Sequence, residues 1–198
     1  GRGGAGREGG GAEQGGGSPD TEAIRAALTN IRYHLAYIGW LVRTRDWLAA
    51  QPWVDKDRMG AMGWSWGGYA MMWLEGHTDR FKALASMMGV YDLRSMYSST
   101  EELWFPEWDL GGAPWQNPEG YRKQSPSSYV TQFKTPTLVV TGQKDFRVPY
   151  TQSLSFFTDL QKMGVPSRLV VFEGSGHWPG WYDMVLYYAA HLDWFHKY

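Results

Sequence analysis

A serine with glycines two positions away on either side, Gly63-Trp64-Ser65-Trp66-Gly67, lies between an apolar segment and a helical pattern. The apolar residues 59–62 before it predict a strand, and residues 68–76 after it predict a helix. A strand that turns directly into a helix through Gly-x-Ser-x-Gly is typical of an elbow that raises the serine hydroxyl above the edge of a parallel sheet. Glycines at Gly63, Gly67 and Gly68 allow the two backbones to approach closely. The segment therefore predicts an α/β fold with Ser65 as an exposed nucleophile.

Three further apolar runs predict strands, at residues 83–90, 137–141 and 169–172. Helical patterns lie at residues 151–163 and at the carboxyl terminus. The terminal helix is predicted to carry its large apolar residues on one face: Trp181, Met184, Val185, Tyr188, Leu192 and Phe195. Strands that alternate with helices indicate a mostly parallel sheet flanked by helices on both sides.

The amino terminus differs from the rest of the chain. Glycine dominates residues 1–17, with no apolar residue larger than alanine. Such a composition cannot bury a core and predicts a disordered tail or linker over residues 1–19. One catalytic domain is expected over residues 20–198. It begins with a long helix, apolar at positions 28, 31, 35, 38 and 42, that ends near residue 50, before Pro52.

Candidate partners for Ser65 follow the last two predicted strands. Asp145 comes after the third strand and His177 after the fourth, so both side chains are expected at the same edge of the sheet as Ser65. A serine hydroxyl needs a base to accept its proton, and the base needs an acid to orient it. The order Ser65, Asp145, His177 therefore predicts a catalytic triad.

Other residues compete for these roles. His34, His191 and His196 lie inside predicted helices, and His77 follows the end of one, so His177 is the preferred base. Asp92 follows the second strand and remains an alternative acid. The backbone N–H of Trp66, the residue after the nucleophile, is the expected oxyanion donor. No His-Gly-Gly segment precedes Ser65 to supply the second donor, and we expect the early strands of the sheet to be missing from the sequence as well.

Residues 97–130 are predicted to form one long irregular segment rich in tryptophan, proline and glycine. Long segments of this kind are often cover over a site or part of it. The aromatic side chains fit either surface cover or direct contact with substrate.

Charge and cysteine content narrow the class of partner. Lys and Arg number 19 and Asp and Glu number 20, which gives a formal net charge of −1 and no support for nucleic acid or a membrane surface as partner. A peptide or other small molecule is the expected substrate. The absence of cysteine excludes disulfides, thiolate zinc sites and a cysteine nucleophile. It does not indicate a compartment, because proteins without cysteine occur in all of them. Any signal peptide is expected to lie upstream of this sequence.

From about residue 45 onward the chain resembles the prolyl oligopeptidase family of serine peptidases, especially its acylaminoacyl-peptidase and dipeptidyl-peptidase-like branch. The matching segments include Val54-Asp55-Lys56-Asp57-Arg58-Met59-Gly60, Gly63-Trp64-Ser65-Trp66-Gly67-Gly68-Tyr69, Asp145-Phe146-Arg147-Val148-Pro149 and Gly176-His177. The resemblance implies an α/β-hydrolase fold with nucleophile, acid and base at Ser65, Asp145 and His177. It also implies hydrolysis of peptides, blocked amino acids or small esters without a cofactor.

Members of that family carry a β-propeller before the hydrolase domain, and none is encoded here. We therefore expect a truncated chain, with a partial hydrolase domain whose open strand edge allows self-association into a homo-oligomer. Three functions remain open at this point: a peptidase, a carboxylesterase with the same triad, and a catalytically silent fragment.

Overall fold

The computed structural model describes residues 37–198, in which four parallel strands form one sheet in the order β1-β2-β3-β4. The strands are β1 Gly60–Trp64, β2 Ala83–Met87, β3 Thr137–Gly142 and β4 Ser167–Phe172. Because all four run in the same direction, their carboxyl ends meet at one edge. The predicted α/β fold is confirmed.

Helices lie between successive strands, as parallel pairing requires, and also before β1 and after β4. They are α1 at residues 37–49, α2 Trp66–Glu75, α3 Leu93–Tyr97, α4 Trp104–Leu110, α5 Pro118–Gln124, α6 Thr151–Lys162 and α7 Asp183–Lys197, with a 3₁₀ helix at Pro126–Gln132. No helix within residues 37–198 has the length and apolarity needed to cross a lipid bilayer. The predicted tail at residues 1–19, the first part of the predicted long helix and His34 lie outside the described residues and stay predictions.

The core lies on both faces of the two central strands, which are buried throughout. Alternate residues of β3 serve the two faces, as the pleat requires. Leu138 and Val140 pack with α7 through Tyr187 and Trp194. Val139 packs on the other face with residues of α2 and α6. The sheet is therefore a middle layer between helices.

The prediction of an irregular segment at residues 97–130 is wrong, because the segment contains α4, α5 and the 3₁₀ helix. Local signals define the ends of these helices. Gly111 adopts a left-handed conformation with φ 70° after α4. Asn117 caps α5 by accepting the N–H of Gly120 at 3.1 Å, and Pro118 occupies the first turn. Helices of about two turns are too short to show a clear apolar period.

The apolar face predicted for α7 is mostly not the face that packs on the sheet. Trp181, Val185, Tyr188 and Leu192 are exposed, whereas the buried residues are Tyr187, Ala190, His191 and Trp194. Met184 and Phe195 of the predicted set do pack against the core. Because the helix carries apolar residues on more than one side, periodicity alone does not select the face that packs on the sheet.

Candidate active site

Ser65 lies at the turn between β1 and α2 with φ 56° and ψ −113°, a positive φ that residues with a side chain rarely adopt. The turn is anchored on both sides. Ser65 N–H donates to the carbonyl of Met87 on β2 at 2.8 Å, and the carbonyl of Ser65 accepts the N–H of Tyr69 at 2.9 Å. A backbone held in such a conformation costs roughly 1–3 kcal/mol and occurs mainly at functional sites.

The glycines of the elbow do not all have the same role. A Cβ on Gly63 would collide with the carbonyl of Gly67, and a Cβ on Gly68 would lie 2.6 Å from the carbonyl oxygen of Met87. A Cβ on Gly67 would meet no atom within 4 Å. The close approach expected from the sequence therefore requires glycine at Gly63 and Gly68, and at Gly67 only the backbone takes part.

His177 and Asp145 come together at the carboxyl edge of the sheet. Asp145 follows β3, His177 lies in the loop after β4, and Nδ1 of His177 is 2.7 Å from Oδ2 of Asp145. The Asp145 side chain is fully shielded from solvent and that of His177 is 9% exposed. Because an ionised carboxylate only accepts hydrogen bonds, Nδ1 carries the proton of a neutral ring, and Nε2 keeps the lone pair that a base needs.

Both oxygens of Asp145 are engaged. Oδ1 accepts the backbone N–H groups of Arg147 at 3.0 Å and Val148 at 2.9 Å. These bonds hold the carboxylate in one orientation toward the imidazole.

The loop that carries His177, which we call the base loop and define as residues 173–182, is attached to its neighbours by further bonds. The carbonyl of Ser175 accepts the N–H of Lys144 at 2.9 Å. The hydroxyl of Ser175 donates to Asp183 at the start of α7 at 2.6 Å and accepts the N–H of Gly180 at 3.1 Å. These bonds connect the base loop to the Asp145 turn and to α7.

Trp66 begins α2, directly after Ser65. The N–H groups of a first helical turn point toward the helix N-terminus, where the helix dipole favours negative charge. The Trp66 ring stacks on Tyr69 at 4.3 Å between centroids and meets the edge of Phe105 from α4 at 5.3 Å. Phe105, in the 97–130 segment, therefore contacts Trp66, the residue that follows the nucleophile.

The competing residues are engaged elsewhere. Asp92 caps α3, where Oδ1 accepts the N–H of Ser95 and Oδ2 accepts the hydroxyl of Ser127, each at 2.7 Å.

The other described histidines lie away from this pair. His77 lies just past the end of α2 farthest from Ser65, and His191 is inside α7; burial lowers the pKa of both rings. His196 lies in the last turn of α7. The structure therefore pairs His177 with Asp145 and not with Asp92.

Sequence reasoning missed one residue at the site, Trp178. Its ring stacks on Trp64 with centroids 4.5 Å apart and planes 23° apart. The available signal was that one tryptophan directly follows His177 and another directly precedes Ser65.

Comparison with known proteins places these features in a family. The profile of the prolyl oligopeptidase family matches residues 41–198. Dipeptidyl-peptidase 5 of Porphyromonas gingivalis is 39% identical over 145 residues, which cover 68% of this chain and 21% of that protein. The chain thus spans about a fifth of the length of that relative.

Two solved structures are similar to the chain. An acylaminoacyl peptidase of Pyrococcus horikoshii matches with a TM-score of 0.64 at 32% identity, over 68% of this chain and 22% of the other. A puromycin-hydrolyzing peptidase of Mycobacterium tuberculosis matches with a TM-score of 0.74 at 26% identity, over 79% of this chain and 24% of the other. Both peptidases have the α/β-hydrolase fold, to which the four-stranded parallel sheet and flanking helices of this chain belong.

Proposed function

The chain belongs to the prolyl oligopeptidase family of serine peptidases, and on that basis we propose that it hydrolyses peptide bonds of short peptides or N-terminally blocked amino acids through an acyl-enzyme. Ser65 is the nucleophile, His177 the base and Asp145 the acid that orients it. The observation that carries the proposal is the 2.7 Å contact between His177 and Asp145. It gives the imidazole the tautomer and orientation that a serine nucleophile requires.

The reaction follows from these groups. Nε2 of His177 accepts the proton of the Ser65 hydroxyl as its oxygen attacks the substrate carbonyl carbon. Asp145 stabilises the imidazolium that forms, and the Trp66 N–H donates to the negatively charged oxygen of the tetrahedral intermediate. His177 then protonates the leaving amine. Water hydrolyses the acyl-enzyme in a second step with His177 again as base, which restores Ser65.

The substrate class is supported by the relatives. Their names describe dipeptidyl-peptidases, an acylaminoacyl peptidase and a puromycin-hydrolyzing peptidase. Dipeptidyl and acylaminoacyl substrates both present the scissile bond close to one end of a peptide.

Labelling with a fluorophosphonate probe tests the nucleophile directly. The probe reacts covalently with an activated serine, so the wild-type chain is expected to label and Ser65→Ala is not. Ser155→Ala, which removes an exposed hydroxyl on α6, is the matched control and should label like the wild type. A folded wild-type chain that does not label, as a catalytically silent fragment would behave, would overturn the proposal.

The choice between a peptidase and a carboxylesterase depends on the leaving group. We expect a dipeptide anilide and an N-acyl amino acid anilide to be cleaved, with Ser65→Ala inactive on both. Hydrolysis of short-chain esters without cleavage of either anilide would identify a carboxylesterase that uses the same triad.

A further inference from the structure

The strand that leads to Ser65 and the strand that leads to His177 are not neighbours. β1 and β4 are separated by β2 and β3 in the sheet. With neighbouring strands about 4.8 Å apart, the axes of β1 and β4 lie roughly 14 Å from each other. The base loop must therefore extend across the carboxyl edge toward the elbow for an imidazole to reach a hydroxyl on Ser65.

The hydrogen bonds of the base loop do not determine how far the loop extends toward β1. Ser175 connects the loop to Lys144, after β3, and to Asp183, on α7. His177 itself bonds to Asp145, also after β3. These contacts fix one side of the loop and the orientation of the ring, but they attach the loop to β3 and α7 rather than to β1.

The stack of Trp178 on Trp64 joins the base loop directly to β1. The ring centroids are 4.5 Å apart and nearly parallel, within the range of roughly 4.5–7 Å that aromatic pairs favour. Trp64 is the last residue of β1 and is itself held against Tyr187 of α7 with centroids 5.7 Å apart. The Trp178 ring also lies edge-on to the His177 ring at 5.8 Å. The stack thus connects the residue after the base to the residue before the nucleophile.

We propose that Trp178 is a positioning residue that, by stacking on Trp64, holds the His177 imidazole within reach of the Ser65 hydroxyl. This inference rests on the proposed function, since it concerns the same nucleophile and base. Trp178 is 65% exposed, so it adds little to the core. The main contact of the Trp178 ring is therefore its stack on Trp64, and Trp64 directly precedes the nucleophile.

The matched variants are Trp178→Ala, Trp178→Phe and Trp181→Ala. Trp178→Ala removes the stack, and Trp178→Phe keeps a ring that can stack on Trp64. Trp181→Ala removes an equally large side chain from the same loop at a position that is 92% exposed. The midpoint of thermal denaturation of each variant is expected to stay close to that of the wild type.

Reaction rates with the fluorophosphonate probe and with an anilide substrate test the proposal. Trp178→Ala is expected to label about 10- to 100-fold more slowly, because a displacement of about 1 Å at a reacting group costs rates of this order. The loss should appear in kcat with KM little changed, whereas loss of a substrate contact would raise KM. Trp178→Phe should recover most of the rate, and Trp181→Ala should retain it. A Trp178→Ala chain that labels at the wild-type rate would overturn the inference.

A second measurement needs no activity. NMR signals of the His177 ring, assigned by their loss in His177→Asn, report the order of the imidazole. They should broaden or double in Trp178→Ala and remain single in Trp178→Phe and Trp181→Ala. Unchanged signals in Trp178→Ala would refute the positioning role. Failure of the wild-type chain to label would instead count against the proposed function, and the NMR comparison would then decide the role of Trp178 alone.

Discussion

Nδ1 of His177 lies 2.7 Å from Oδ2 of Asp145, and the other oxygen of this carboxylate accepts the backbone N–H groups of Arg147 and Val148. Three donors therefore meet on one side chain that is fully shielded from solvent. A carboxylate held in this way is pre-organised, because it need not reorient when the imidazole gains a proton.

Removal of any member of the proposed triad is expected to abolish most turnover. Ser65→Ala and His177→Ala should each lower kcat by about 10³-fold or more, and Asp145→Asn slightly less, measured with an anilide or activated ester. The double variant of Ser65 and His177 should be little worse than either single variant, since the residues act as a unit.

Asp92→Asn provides the control for the acid. Its carboxylate caps α3 and accepts a hydroxyl from Ser127, so the substitution should affect stability more than kcat per folded molecule. If Asp92→Asn lost activity as Asp145→Asn does, or if Ser65→Ala kept a tenth of the wild-type rate, the assignment would be wrong.

Alanine substitutions at the elbow are expected to differ according to the space around each Cβ. Gly63→Ala and Gly68→Ala should each destabilise the fold by about 2–4 kcal/mol, since the new Cβ would overlap backbone atoms that cannot move aside. Gly67→Ala should leave stability unchanged or raise it by up to about 1 kcal/mol, because alanine favours a helix over glycine. Chemical denaturation of the three variants checks this order, and equal losses at Gly63 and Gly67 would contradict it.

The sequence was sufficient to predict elements whose signal is local. The Ser65 elbow, the buried strands and the positions of Asp145 and His177 after β3 and β4 follow from short runs of residue types. The orientation of α7 and the short helices in residues 97–130 did not follow in the same way. Ala190 and His191 are buried on α7 only because the sheet lies on that side, and the contact of Trp178 with Trp64 depends on how two distant loops meet. Such features are set by tertiary packing rather than by periodicity.

Two substitutions on α7 test which of its faces packs on the sheet. Trp194 is 2% exposed and lies in the core beside β2 and β3, whereas Leu192 is 61% exposed. Trp194→Ala is expected to lower the free energy of unfolding by about 3–5 kcal/mol, and Leu192→Ala to change it by no more than about 0.5 kcal/mol. A larger loss at Leu192 than at Trp194 would show that the helix is rotated from the orientation described.

A buried carboxylate far from the triad gives the fold a dependence on pH. Glu75, at the end of α2, is 1% exposed, and its Oε1 accepts the backbone N–H groups of Lys134 at 2.6 Å and Thr135 at 2.7 Å. Burial raises the pKa of Glu75 from 4.5 to about 7, although the two backbone donors act in the opposite direction.

This raised pKa sets the sign of the pH effect. Between pH 4.5 and about 7 the folded chain holds a proton on Glu75 that the unfolded chain has lost. Stability contributed by this group therefore falls as pH rises through that window, by up to about 3 kcal/mol once the side chain is ionised in both states. His77 and His191, whose pKa values burial lowers, change stability in the opposite direction near their own titration. The contribution of Glu75 must therefore be isolated by comparison with a variant.

Glu75→Gln removes the charge and keeps a carbonyl oxygen that can accept both N–H groups. We expect the free energy of unfolding of the wild type, relative to Glu75→Gln, to fall between about pH 5 and about pH 8, as measured by urea denaturation. Asp79→Asn is the control, because Asp79 is an exposed carboxylate that pairs with the Lys134 side chain at 3.0 Å. Its substitution removes a negative charge from the same region without removing a buried one, so the fall should persist in that variant. Wild type and Glu75→Gln curves that run parallel across this range would show that Glu75 is already ionised in the folded chain at pH 5, and that burial does not hold its proton.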